Sequence, residues 1–347
     1  MGSLNNGDIL LLRGKEIGVL FEGQELGLIE AVRAAYLTHE AGDTSLPNCP
    51  FLRFPHDPSA RIIAKPAYLG GKQPIAGMKW VASFPGNLQR GQDRASAVLV
   101  LNSPNTGFAT AILEGSLINA YRTAASAALA AQTFKAPGSV RTIGLIGAGF
   151  INFHTLRFLL TVHPEVDHIQ VFDLLPSRAV QFVEGCQHLA EGRRFSISED
   201  SGALLSTSDL VSLATTATTP YLGQLDRVKS DAVILHVSLR DFTPEAILQA
   251  DNVVDDVEHV CSNQTSIHLA SEQVQNRDFI RTTLGAVLAG KTPVRIPGKP
   301  LLFSPFGLGI LDVAAGNVAV ELARKTGHAT VVHDFLPESW TVGKHAN

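Results

Sequence analysis

Hydrophobic spacing changes character several times along the chain, and those changes mark out its elements. Short apolar or alternating runs bounded by Gly, Pro and Asn read as strands, whereas apolar residues recurring every three to four positions read as helices. A strand is expected at Asp8 to Leu12, then a helix from about Gln24 to Glu40 whose Ile29, Val32 and Tyr36 share one face. After Gly42 the chain becomes rich in Pro, Phe and Arg, with strand-like runs at Arg61 to Ala64, Ile75 to Ser83, Ser96 to Asn102 and Phe108 to Leu113. Turns such as Gly70-Gly71 and Ser103-Pro104-Asn105 separate them, which describes an antiparallel, mostly β module.

Around Ser116 the pattern gives way to an alanine-rich helix of strong propensity, Leu117 through Ala131. Beyond it strands and helices alternate. Strands are expected at Thr142 to Ile146, Ile169 to Phe172, Leu210 to Ala214, Ala232 to Val237 and, as the last of the series, Asn252 to Asp255, with a helix at Ser177 to His188. That alternation describes a doubly wound parallel sheet. Past Pro297 it is expected to stop, Leu301 to Gly307 forming a strand and turn and Ile310 to Lys325 a helix that returns to the first domain. The fold class is α/β, a Rossmann-type doubly wound parallel sheet plus a mostly antiparallel β domain, divided as 1–122 with 306–347 and 123–305. The last ten or so residues are polar and expected to be loosely held.

The segment Arg141 to Asp173 carries the first chemistry. A buried strand turns at Gly147 and Gly149 into a helix, and the next strand ends in an acid. Such a turn brings the backbone close to a pyrophosphate, whose charge the unpaired N–H groups at the helix start can hold. Gly147, Ala148, Gly149, Phe150 and Ile151 are therefore candidate cofactor contacts. Asp173 stands where a carboxylate accepts hydrogen bonds from the adenosine ribose, with Arg178 in the helix that follows; an acid there repels a ribose phosphate and favours NAD over NADP. Asn152 occupies the third fingerprint position in place of Gly or Ala.

Composition narrows the function classes. The 347 residues are 45% hydrophobic and 17% charged, as in a folded globular chain long enough for two cores. A net charge of −4 provides no field to gather nucleic acid or an anionic membrane. Cys49, Cys186 and Cys261 lie far apart without CxxC spacing, and the histidines are scattered, so neither a disulfide framework nor a metal site is expected. No leader pattern or membrane-length apolar run occurs, and the expected location is the cytoplasm.

Isolated cations punctuate the apolar stretches of the β module: Arg53, Arg61, Lys79 and Arg94, with Arg122 among the alanines. Together they point to a pocket for carboxylates. The segments Arg61-Ile62-Ile63-Ala64-Lys65-Pro66, Gly77-Met78-Lys79-Trp80-Val81, Asp93-Arg94-Ala95-Ser96, Ala120-Tyr121-Arg122-Thr123, Gly147-Ala148-Gly149 and Ser304-Pro305-Phe306-Gly307-Leu308-Gly309-Ile310-Leu311-Asp312 resemble the ornithine cyclodeaminase and mu-crystallin family from about residue 8 to 325. Within it, the first and third segments are most similar to the branch that makes 2,3-diaminopropionate.

The resemblance implies an NAD-dependent enzyme acting on an amino-acid CH–NH bond, with Arg53, Lys79 and Arg122 holding the α-carboxylate and Lys79 also taking part in catalysis. It implies that Asp241 is the catalytic acid/base and that Thr215, Thr216 and Thr219 run beside the nicotinamide half. Thr243, just ahead of Pro244, is the better-placed cap for the next helix than Asp241. Gly307, on the cofactor side, and Asp312 match the family's C-terminal motif, whereas Leu311 stands where an acid usually precedes that aspartate. The β domain is then the substrate-binding and dimerisation domain of a homodimer. For the diaminopropionate branch the reaction is oxidative hydrolysis of N-(2-amino-2-carboxyethyl)-L-glutamate, whose three carboxylates would employ Arg61 and Arg94 as well. Ornithine cyclodeamination, imine reduction and a non-catalytic mu-crystallin-like binding role remain alternatives.

Overall fold

The structure is a computed structural model that describes residues 7–337; the polar last ten residues lie outside that range. Two compact units account for the chain: within the described residues, 7–24, 43–119 and 309–337 form one, and 25–42 with 120–308 the other. The sequence division differs from this at 25–42, and the reason is packing.

In chain order the first part comprises β1 Ile9–Leu12, α1 Gly14–Phe21, α2 Glu25–Glu40, β2 Thr44–Ser45, β3 Phe51–Phe54, β4 Asp57–Leu69, β5 Ile75–Ser83, β6 Ala95–Asn102 and β7 Ala109–Glu114. The pattern did not mark out α1, a two-turn helix that buries Ile17, Leu20 and Phe21. It starts where Glu16 accepts the main-chain N–H of Arg13 at 2.7 Å. The long β4 continues through Pro66. That proline falls between the stretches paired with β3 and with β2, so its missing N–H breaks neither ladder.

The second part is built from α3 Gly115–Phe134, β8 Thr142–Ile146, α4 Phe150–Val162, β9 His168–Phe172, α5 Pro176–Cys186, β10 Arg194–Ile197, α6 Ser201–Thr207, β11 Leu210–Leu213, β12 Val233–His236, α7 Pro244–Gln249, β13 Asp251–Val254, α8 Val257–Val260, α9 Ser266–Val274, β14 Ile280–Thr283, α10 Leu284–Leu288 and β15 Leu301–Ser304. The eight strands are all parallel, in the order β10-β9-β8-β11-β12-β15-β13-β14. Burial on both faces explains why β11, β12 and β15 read as short, mostly apolar runs without alternation. Two expectations change here. The βα series does not end at residue 255, because β14 extends the sheet, and β15 lies inside it between β12 and β13. The edge strand β10, with its half-exposed polar residues, also went unread.

Helix α2 belongs to this unit. Its Leu28, Ile29, Val32, Ala35 and Tyr36 are buried, and the Tyr36 hydroxyl lies 2.8 Å from Ser126 Oγ on α3.

The chain closes with α11 Gly309–Thr326 and β16 Thr330–Val332, which complete the first unit. Its sheet runs β16-β1-β7-β6-β5-β4-β2, with β3 also on β4, and only β1–β7 is a parallel pair. Helix α11 packs closely on one face: a Cβ at Gly316 would stand 2.5 Å from Leu99 Cδ2, and one at Gly77 would stand 3.0 Å from Val313 Cγ1. Among the described residues no helix is long and apolar enough to cross a membrane.

Candidate active site

In the parallel-sheet unit, β9 and β11 flank β8 on opposite sides, so the chain reverses its direction of travel across the sheet at β8. Such a switch point is where doubly wound folds bind ligands, beyond the carboxyl ends of the strands. The glycine turn lies there. Gly147 has φ +94, and a Cβ on it would come within 2.5 Å of Ala214 O. Gly149 begins α4 without a side-chain cap, and the space about its Cα is open. The amides of the first turn, Phe150 and Ile151 included, are thus left to an external anion. Asp173 accepts the Ala148 N–H at 2.8 Å and the Leu175 N–H at 3.0 Å, which orients its carboxylate and leaves lone pairs for ribose hydroxyls. Arg178 Nε lies 3.9 Å from it. These groups fit a dinucleotide.

Asn152 acquires a physical reason. Fully buried, its amide donates to Ile146 O at 3.0 Å and Gly147 O at 2.7 Å, while its Oδ1 accepts from Ser212 Oγ on β11 at 2.7 Å. A third glycine would let helix and strand approach; here a carboxamide ties the turn to the neighbouring strand. Asn152→Ala is expected to cost about 1–3 kcal/mol by leaving those groups unsatisfied. It should also weaken NAD binding, which chemical denaturation and NAD titration would measure.

Asp241 lies in the loop after β12, wholly buried. Thr215 Oγ1 donates to its Oδ1 at 2.5 Å, the Ser238 hydroxyl donates to its Oδ2, and His236 Nε2 is 3.2 Å from the same oxygen. Burial alone would raise this carboxyl, but its contact with His236, with the Ser238 and Thr215 hydroxyls, holds it below the ordinary range. The loop is fixed from several sides. Tyr221 and Leu222 N–H groups both donate to Asp241 O at 2.9 Å, and Ser266 N donates to Leu239 O at 2.7 Å. The Arg240 guanidinium donates to the carbonyls of Asn263 and Gln264. Leu239 is held at φ +70, a conformation that a leucine keeps only when its surroundings impose it. As the sequence predicted, Thr243 and not Asp241 caps α7, accepting from Ala246 N. The hydroxyl of Thr215 is turned to Asp241, while Thr216 and Thr219 are exposed.

In the antiparallel unit, register gathers the cations. Arg53 pairs with Arg61 across β3–β4, and Lys65 pairs with Lys79 across β4–β5. Because side chains alternate, all four share one sheet face, the one that α11 packs on. Lys79 is buried with its ammonium 2.8 Å from Asp312 Oδ1 and 2.6 Å from Asn119 Oδ1. Asp312, the acid of the C-terminal motif, is thus the counter-ion of Lys79, and the preceding Leu311 is simply buried. Arg53 is exposed, 5.4 Å from the Phe51 ring. Arg94 is half-buried and desolvation lowers its pKa, with no acid among the contributing groups.

Arg122 is placed in the parallel-sheet unit instead. It is buried beside Gly307, where a Cβ would stand 2.7 Å from its Nη1, and Gly307 itself has φ +85. Buried Asp255 fixes that turn by accepting from Phe306 N at 2.8 Å and Gly307 N at 2.7 Å, although burial raises its pKa. Gly307 therefore makes room for Arg122, whatever it does for a cofactor.

The sequence model of the ornithine cyclodeaminase/mu-crystallin family matches residues 12–327. The chain belongs to that family. It is 28% identical over 337 residues to the N-((2S)-2-amino-2-carboxyethyl)-L-glutamate dehydrogenase of Staphylococcus aureus (strain NCTC 8325 / PS 47), covering 94% of this chain and 99% of that one. Among solved structures, the Thermococcus litoralis Delta(1)-pyrroline-2-carboxylate reductase in complex with NADH and L-proline superposes with a TM-score of 0.85 at 26% identity, over 93% of this chain and 99% of its own. An archaeal alanine dehydrogenase dimer with bound NAD gives 0.83 at 26%, over 94% and 99%.

The geometry also brings out residues that the pattern does not mark. Lys65, opposite Lys79, looked like one more strand lysine; only the register reveals the pair. His236, Ser238 and Ser304 around Asp241 went unweighed, although a histidine closing the otherwise apolar Val233-Ile234-Leu235-His236 was a signal in plain view.

Proposed function

We propose that the protein is an NAD-dependent oxidoreductase of amino-acid CH–NH bonds and that its substrate is N-(2-amino-2-carboxyethyl)-L-glutamate, cleaved to 2,3-diaminopropionate and 2-oxoglutarate. The observation that carries the reading is the single sheet face bearing Arg53, Arg61, Lys65 and Lys79, a concentration of cations suited to a substrate with several carboxylates. The similarity to the staphylococcal dehydrogenase along almost its full length supports it.

Bound at the glycine turn, NAD+ would supply the oxidant that takes up a hydride from the glutamate Cα. Ala148, Gly149 and the amides of the first turn of α4 would hold its pyrophosphate, and Asp173 the adenosine ribose. Lys79, kept in place by Asp312 and Asn119, binds a carboxylate with Arg53, and Arg61, Lys65 and Arg94 bind the others. Asp241, ionised at neutral pH, accepts the amine proton and gives it back to the imine nitrogen as water adds, then takes a proton from the added water and delivers it to the departing nitrogen, the carbinolamine hydroxyl proton leaving to solvent. One water is consumed for each hydride transferred.

Incubation with the substrate and NAD+, followed by absorbance for NADH and by mass spectrometry for products, tests this. Formation of NADH and 2-oxoglutarate in equal amounts is expected, and absence of both would overturn the substrate. L-ornithine, L-alanine and L-proline run in parallel report a different member of the same reaction class, and NAD binding without any turnover would favour the binding-protein alternative.

The face of the antiparallel sheet opposite the cations is apolar, with Ile62, Met78, Trp80, Val98 and Val100 in paired register. Trp80 and Val98 are 39% and 43% exposed, and the similar alanine dehydrogenase is a dimer. A second copy of the chain is the partner this face suits. Replacing Trp80 and Val98 together by Glu should yield a monomer in analytical ultracentrifugation, whereas an unchanged dimer would place the interface elsewhere.

A further inference from the structure

A fully buried carboxylate is an awkward acid/base, because its charged form needs partners that water cannot supply. Asp241 has such a partner behind it. His236, at the last position of β12, is itself 0% exposed, with Nε2 3.2 Å from Asp241 Oδ2 and Nδ1 3.1 Å from Ser304 Oγ on β15. Phe242 packs edge-on against the ring, with centroids 5.0 Å apart and planes at 82°. The main-chain N of Asp241 also lies 3.2 Å from Nε2, so two hydrogen arrangements compete there. With the carboxylate ionised, the arrangement with hydrogen on Nε2 wins, since a bond to a charged acceptor is about twice as strong as one between neutral groups. Nδ1 is then an acceptor, and the Ser304 hydroxyl, which can donate, completes the ring's bonding. The chain of contacts runs from the sheet interior outward: Ser304 sets the tautomer of His236, and His236 points its N–H at Asp241.

We propose that His236, aimed by Ser304, is a positioning residue that holds the Asp241 carboxylate charged and oriented for proton transfer. The assignment rests on Asp241 being the acid/base of the reaction proposed above, but its physical content does not depend on the substrate. The groups facing the carboxylate are the Thr215 hydroxyl after β11, the Ser238 hydroxyl in its own loop, the imidazole of His236 on β12 and the phenol of Tyr221. Burial and the Asp241 charge push that phenol up, so it remains neutral through the physiological range. Of the titratable neighbours, His236 is therefore the one whose replacement changes what the carboxylate feels. Without it, burial prevails and the carboxyl holds its proton to higher pH.

The test is a 13C NMR titration of the Asp241 carboxyl in the NAD+-bound protein, comparing the parent with His236→Asn, His236→Phe and Ser304→Ala. In His236→Phe the midpoint should rise by about one pH unit or more, with smaller rises in His236→Asn and Ser304→Ala. Where turnover is measurable, the acid limb of the kcat profile should move by the same amount while KM changes less than about threefold. Should His236→Phe fail to fold, Ser304→Ala, which keeps the ring, decides. A midpoint there within about 0.3 unit of the parent overturns the proposal, as does an unmoved midpoint in either folded His236 variant. Because the titration needs no amino-acid substrate, failure of the substrate assignment and failure of this one give different results.

Discussion

Asp241→Asn is expected to lower turnover by about 10²–10⁴-fold while NAD affinity stays within about twofold of the parent. The substitution keeps the shape of the side chain but removes the capacity to take up and return a proton, and it leaves the dinucleotide turn alone. Gly147 bonds with Asn152 and Phe172, Asn152 with Ile146 and Ser212, and Asp173 with Ala148 and Leu175, none of them to Asp241. Isothermal titration with NAD+ and steady-state kinetics on the same preparation separate the two effects, and retained turnover would remove Asp241 from its role. The variant should differ in acid as well. The folded carboxyl of Asp241 lies below its ordinary value, so its contribution to stability is present above about pH 4 and disappears as pH falls through the folded value. The stability difference between parent and Asp241→Asn should therefore narrow in acid.

Lys79→Met is expected to cost about 3–5 kcal/mol of stability, the usual consequence of removing one member of a buried ion pair. Lys79 and Asp312 are each 1% exposed at their side chains, so the change strips Asp312 of its nearest cation in a place where water cannot replace it. Urea unfolding followed by circular dichroism would measure the loss. Replacing both partners, Lys79→Met with Asp312→Leu, should recover most of the stability without restoring turnover. A double variant no more stable than the single one would show that the loss has another origin. The two results together separate what the pair does for the fold from what the lysine does for a carboxylate substrate.

Much of this architecture can be read from the residues, and the exceptions have physical causes. The run Thr142–Ile146 followed by Gly147 and Gly149 is legible because a buried strand and a tight turn both constrain composition strongly. Ile75–Ser83 is legible for its bounding turns. Residue pattern is silent where an element obtains its stability from neighbours distant in sequence. β10 is a polar edge strand, β14 is four residues long, and β4 continues through a proline that its unpaired edge tolerates. The site divides in the same way. The arginines stand out as charges in apolar surroundings and Asp241 is reached through the family resemblance, whereas Lys65 acquires significance only from the register that sets it opposite Lys79, and Asn152 only from the carbonyls it reaches.

The place of β15 bears on how the chain folds. β13 joins the rest of the parallel sheet through β15, and β14 joins through β13, so both strands must wait for residues 301–304 before they can dock. The antiparallel unit likewise waits for α11 from residue 309. Neither unit is complete before these segments emerge, and β13 and β14 are exposed to unproductive pairing until residues 301–304 are available. Ribosome-bound chains that carry a linker long enough to clear the exit tunnel should be protease-sensitive in both units when cut off near residue 290 and protected when they reach residue 337, so that the two units gain protection almost together.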